Sequence, residues 1–154
     1  MKFLHLADLH IGKRVNEFSM LEDQRYIFGQ ILNVARAEKP DAVLIAGDIY
    51  DKTVPPGEAV EVLDDFLTSF AGQKIPVFLI AGNHDSPERL GFASRLLEKS
   101  GVCIVSSFRG TLPEISLSDA YGPVKLYLLP FVKPAVVAPF FPELKIESYE
   151  DAVR

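Results

Sequence analysis

The chain has a single cysteine, Cys103, so it can form no internal disulfide, which fits a reducing compartment. Cys103 lies within the apolar run Val102-Cys103-Ile104-Val105 and is expected to behave as a small core hydrophobe. With thiolates otherwise absent, a structural zinc site has too few ligands. No apolar stretch approaches the roughly 20 residues that a membrane span requires. The N-terminus, Met1-Lys2-Phe3-Leu4-His5, reaches His and Asp too soon to contain a signal-peptide apolar region. These absences point to a soluble, cytoplasmic protein with no membrane association. Basic residues are outnumbered, 16 Lys and Arg against 21 Asp and Glu, for a net charge of −5. Any nucleic-acid contact must therefore come from a local basic patch or from bound metal cations.

What the chain does have is a core. Its 154 residues are 48% hydrophobic, enough for one domain. Three short apolar runs end abruptly in polar residues. Phe3–Ala7 runs into Asp8-Leu9-His10, Ala42–Ala46 into Gly47-Asp48-Ile49-Tyr50-Asp51, and Ile75–Ala81 into Gly82-Asn83-His84-Asp85. Apolar runs of strand length are expected where a parallel strand is covered on both faces. Helical spacing of Ile27, Phe28, Ile31, Leu32, Val34 and Ala35 predicts a helix over 21–38, closed by Pro40. Val62, Leu63, Phe66, Leu67 and Phe70 predict another over 58–70, stopped by Gly72. Ser86-Pro87-Glu88 reads as a helix start, with the helix running to about Lys99 and ending at Gly101 before a fourth strand at 102–106. Alternating strands and helices imply right-handed crossovers and a mostly parallel α/β sheet.

Beyond Arg109 the pattern changes. Segments 112–117 and 124–129 are predicted to form an antiparallel hairpin that begins a second sheet or extends the first. The proline-rich stretch 130–142 reads as an irregular loop, and Ser148-Tyr149-Glu150-Asp151 as a helix cap. A helix announced there and left with a single turn leads to the expectation that the domain, 1–154, is truncated on its C-terminal side.

The polar strand ends carry the chemistry. Asp8, His10, Asp48, Asn83 and His84 all fall just past consecutive parallel strands, which brings them to one sheet edge. Carboxylate, imidazole and amide oxygen suit manganese, iron or zinc. Asp48 has two oxygens and a central place, so it is the candidate to bridge two metals, which roughly 3.5–4 Å apart would clamp a phosphate. His84 is a candidate general acid for the leaving oxygen, with Asp51 or Asp85 holding its ring.

Asp8-Leu9-His10, Gly47-Asp48-Ile49-Tyr50-Asp51 and Gly82-Asn83-His84-Asp85 resemble the first three signature blocks of the calcineurin-like metallophosphoesterases. The longer blocks Leu6–Lys13, Ala46–Asp51 and Ala81–Leu90 narrow the resemblance to the DNA nuclease subunits of that family. The resemblance implies an α/β/β/α sandwich and two divalent metal ions, most often Mn2+. It also implies hydrolysis of DNA as double-strand exonuclease and hairpin or single-strand endonuclease in break repair. An SMC-like coiled-coil ATPase partner and a homodimer are implied as well. It puts Asp8 and His10 on the first metal, Asp48 between the two and Asn83 on the second. His84 becomes the proton donor and Asp51 its orienting partner.

The family completes its site with further histidines in later blocks, whereas this chain has only His5, His10 and His84. His5, within a strand, is expected to pack rather than ligate. The second sheet is therefore expected to be incomplete, the second metal weak, and the activity of this chain alone low or absent. Two other readings share part of the same pattern: a phosphomonoesterase or cyclic-nucleotide phosphodiesterase with the same metals, and a non-catalytic binding scaffold. Lys13, Arg14, Lys52, Arg89 and Arg95 are the basic residues placed near the metal edge.

Overall fold

The apolar runs that stop at Gly or Asp are the strands of one sheet. A computed structural model describes residues 1–154. Strand β1 (Phe3–Leu6) leads into a short hairpin, β2 (Arg14–Val15) and β3 (Phe18–Ser19), and then into helix α1 (Leu21–Glu38). Strand β4 (Ala42–Ala46), helix α2 (Gly57–Gly72) and strand β5 (Val77–Ile80) follow. Two short helices, α3 (Pro87–Leu90) and α4 (Ser94–Leu97), precede strand β6 (Val102–Val105). The sheet order is β1-β4-β5-β6, with every pair parallel.

Because side chains alternate across a strand, each strand feeds two layers. Val43, Ile45, Val77, Leu79 and Val102 face α1 and α2, which supply Phe28, Ala35, Val62, Leu63, Phe66, Leu67 and Phe70 to one buried cluster. Phe66 is its centre: stacked on Phe28 at 4.4 Å between ring centroids and edge-on to Phe70 at 4.9 Å. Ala42, Phe78 and Val105 face the other way and meet Leu128, with Ile115, Leu117 and Leu126 around them. Those last residues bring in the hairpin β7 (Glu114–Asp119) and β8 (Gly122–Tyr127), which pairs antiparallel as a separate two-stranded sheet. Helix, sheet and hairpin thus form α/β/β layers, three of the four layers of the predicted sandwich, with the second sheet represented by two strands.

Several details differ from the sequence reading. The helix predicted over 87–99 is broken, because Ala93 adopts a left-handed backbone at φ 57°. The segment also passes so near the end of β6 that a Cβ on Gly91 would lie 2.5 Å from Ser106 Oγ. Cys103 is half-buried against the smaller cluster rather than enclosed in the core. His5 is exposed, not packed, since β1 is an edge strand and the second layer meets its face at Phe3. The 130–142 loop contains a short helix, α5 (Pro134–Val137), continued by a 3₁₀ turn at Ala138–Phe140. Ser148 and Asp151 do form a reciprocal capping box, on helix α6 (Tyr149–Val153).

Since Phe66 is 2% exposed and touches both helices' aromatic rings, Phe66→Ala should cost about 3–5 kcal/mol. Urea denaturation followed by far-UV circular dichroism measures this; a loss below about 1 kcal/mol would contradict the packing described.

Candidate active site

The parallel ladder does not stop where β1 and β4 end. Asp8 N donates to Gly47 O at 3.2 Å, His10 N to Asp48 O at 2.9 Å and Ile11 N to Ile49 O at 2.9 Å, while Asp51 N donates back to Ile11 O at 3.1 Å. The two loops therefore run side by side in fixed register. Within them Asp8, His10 and Asp48 hold left-handed backbones at φ 53°, 43° and 49°. Such conformations cost energy in residues that carry a Cβ, and they cluster where a side chain must be aimed. Here they turn three donors toward one point.

The loop from β5 is bound to the same place by carboxylates. Asp85, 5% exposed, accepts from Ile49 N at 3.1 Å, Tyr50 N at 3.0 Å and Gly82 N at 2.8 Å. One buried carboxylate thus satisfies three main-chain donors on two loops, which offsets the cost of burying its charge. Asp48 Oδ1 accepts from His84 N at 3.0 Å and makes the second tie. The loops come so close that a Cβ on Gly82 would lie 2.1 Å from Asp48 Oδ1, so only glycine fits there. On the other side, Gln24 of α1 accepts from Gly12 N at 3.0 Å and donates to Leu9 O at 3.1 Å and His10 O at 2.8 Å. Its amide braces the loop that bears His10.

One donor atom from each of Asp8, His10 and Asp48 falls within a mutual 4.8 Å. His10 Nε2 is 4.0 Å from Asp8 Oδ1 and 3.8 Å from Asp48 Oδ2, beyond hydrogen-bond length for either. Two carboxylates and an imidazole that converge without bonding one another fit a divalent cation. His10 Nδ1 faces Asp51 Oδ1 at 3.6 Å, beyond hydrogen-bond length, and is a buried nitrogen without a hydrogen-bond partner. Asp48, with Oδ1 on His84 N and Oδ2 toward His10, lies between the first loop and the third.

His84 is exposed, and its ring meets His10 edge-on at 4.9 Å between centroids. Its Nδ1 lies 3.1 Å from the main-chain carbonyl of Asp51. A carbonyl only accepts, so Nδ1 carries the proton and Nε2 is left for chemistry. Asp51 thus touches His84 through its backbone, while its carboxylate is turned to His10. Asp85, the other candidate for holding that ring, is committed to the loop amides instead. Asn83 is exposed beside His84 in the same turn. Tyr50, between Asp48 and Asp51, is buried, and that burial together with the charges of Asp85 and Asp64 pushes its phenol up to about 12, so it stays neutral. Lys13, Arg14, Lys52, Arg89 and Arg95 are all exposed; Lys13 and Arg14 lie where the hairpin leaves the His10 loop.

Gln24 and the clamping role of Asp85 escape sequence reading. Gln24 sits among the polar positions of α1 and shows no spacing that sets it apart. Asp85 reads equally well as a partner of its neighbour His84.

These loops, the three-layer fold and the donor set describe a phosphoesterase, and residues 1–139 match the family of calcineurin-like phosphoesterases. The chain belongs to that family. It is 36% identical, over an alignment of 155 positions, to the SbcD subunit of the nuclease SbcCD from Staphylococcus epidermidis and, to the same degree, to its counterpart from Staphylococcus saprophyticus. All of this chain is covered in both comparisons, and it spans 40% of the length of each relative. No helix is long and apolar enough to cross a membrane.

Because Gly82 fills the space against Asp48, Gly82→Ala should displace that carboxylate and weaken Mn2+ binding by roughly tenfold or more, with secondary structure kept. Calorimetric titration checks it. Unchanged affinity would contradict the close approach.

Proposed function

We propose that the protein of which this chain is part is a metal-dependent nuclease subunit that hydrolyses DNA phosphodiester bonds with two divalent ions, most often Mn2+. The observation that carries this reading is the convergence of Asp8, His10 and Asp48 donors within 4.8 Å at the sheet edge. Identity along the whole of this chain to two relatives named as nuclease subunits supports the choice of DNA over other phosphoesters. In this reading the protein acts in the cytoplasm on double-strand ends and on single-stranded or hairpin DNA in break repair. It works as a homodimer with an SbcC-like SMC-type ATPase.

Asp8, His10 and Asp48 would hold the first ion, and Asp48 with Asn83 would contribute to the second. Bound there, the cations supply Lewis-acid polarisation of the scissile phosphate and neutralise its developing charge. The chain's residues do the rest. His10 would ligate through Nε2, the nitrogen that faces Asp8 Oδ1 and Asp48 Oδ2. The carbonyl of Asp51 holds the proton of His84 on Nδ1, so that in the protonated ring Nε2–H is free to give its proton to the leaving oxygen. With three donors for one ion and two for the other, hydrolysis by this chain alone is low.

In the full-length protein, substituting His84 by Gln should lower hydrolysis of bis-p-nitrophenyl phosphate by about 10²-fold or more while changing Mn2+ affinity by less than about twofold. Equal loss of both would make His84 a ligand rather than the acid. Faster turnover of mononucleotides than of the diester or of duplex DNA would favour a phosphomonoesterase instead.

A further inference from the structure

On the far side of β5 from β1, the sheet edge opens into a groove of about 1100 Å³. Its walls are the α3–α4 turn, the length of α4 and the segment that follows β6. Arg95, Lys99 and Arg109 line it, with Ser106 and Ser107 at the end of β6 and Glu98 as the only acid. A local charge of +2 is thus gathered in one concave space of a chain whose net charge is −5. Lys2, Arg25, Lys125, Lys145 and Arg154 are paired with carboxylates, and the other basic residues outside the groove are not. The three groove cations have no such partner, and all are exposed. Cations held apart from carboxylates, beside hydroxyl donors, suit a ligand with repeated negative charge and acceptor oxygens.

The groove is linked to the candidate active site along the chain, through the loop that carries His84 and Asp85. Helix α3 begins two residues after Asp85 and is followed by Gly91, which lines the groove and packs against Ser106. We infer that the Arg95, Lys99 and Arg109 groove is a track for the phosphodiester backbone of a nucleic-acid strand, engaged through its charge and not through its bases. This rests on the nuclease reading but involves none of the metal-site residues.

The test is fluorescence anisotropy of a labelled single-stranded oligonucleotide in EDTA, with the wild-type chain and with a chain carrying R95E, K99E and R109E. The triple substitution should weaken binding by about tenfold or more at low salt and reduce the salt slope by about 2, the value for three lost single-strand phosphate contacts. An abasic oligomer should bind the wild type as well as the base-bearing one, and inorganic phosphate at equal phosphate concentration should not displace it. Unchanged affinity and slope in the triple variant would overturn the proposal, as would ready displacement by free phosphate, which would make this a small-anion site. Lysine acetylation footprinting of the wild type gives an answer that does not depend on how the variant folds: Lys99 should be protected by the oligonucleotide, and absence of protection would overturn the track. In the full-length protein, turnover of bis-p-nitrophenyl phosphate, a substrate too small to reach the groove, judges the nuclease reading separately.

Discussion

The site depends on the clamp made by the Asp85 carboxylate. By accepting from Ile49 N, Tyr50 N and Gly82 N, it locks the loop after β4 to the loop after β5. Those loops are otherwise irregular backbone at a sheet edge, where buried N–H groups need a partner. One charged acceptor serves three of them, so removing it leaves three donors unsatisfied at once, each costing about 1–3 kcal/mol. The left-handed backbone of Asp48 and the glycine-only contact at Gly82 are tolerated because that clamp over-determines the geometry. The part of the site carried by the second and third loops is downstream of it. Asp48 faces His10 because its loop is held, and the His84 amide reaches Asp48 because the third loop is held to the second.

The first loop is fixed by different means. Its main chain continues the parallel ladder of β1 and β4 through His10, Ile11 and Asp51, and Gln24 braces it from α1. The core then bears on function directly. Helix α1 is anchored by Phe28 against Phe66, so the packing of two aromatic rings sets where Gln24 can reach. Three loops from three strands are thereby positioned by three kinds of force: ladder hydrogen bonds, a buried carboxylate and an aromatic-packed helix.

How much of this can be read from sequence follows from how local each signal is. The strands over 42–46, 77–80 and 102–105 are uninterrupted apolar runs, and the helices over 21–38 and 57–72 show full periodicity. Their order alone is enough to bring Asp8, His10, Asp48 and His84 to one edge. The β2–β3 hairpin escapes notice because its strands have two residues each, and its turn, Asn16-Glu17, achieves positive φ without glycine. The break at Ala93 is invisible because nothing in Gly91-Phe92-Ala93 shows how near β6 runs. The expectation that the Asp51 or Asp85 carboxylate holds the His84 ring is not met by either carboxylate. Asp85 goes to the loop amides, and Asp51 offers its carbonyl to His84 and turns its carboxylate toward His10. Long-range hydrogen bonds of this kind leave no periodic trace.

These loops bring donor atoms of Asp8, His10 and Asp48 together within 4.8 Å, and in the proposed function these form one cation site with only part of a second. Calorimetric titration with Mn2+ of the wild-type chain and of Asp48→Ala tests this most directly. One tight site and a weak second are expected in the wild type, with the tight site lost in Asp48→Ala. Two tight sites in the wild type, or undiminished binding in Asp48→Ala, would contradict it.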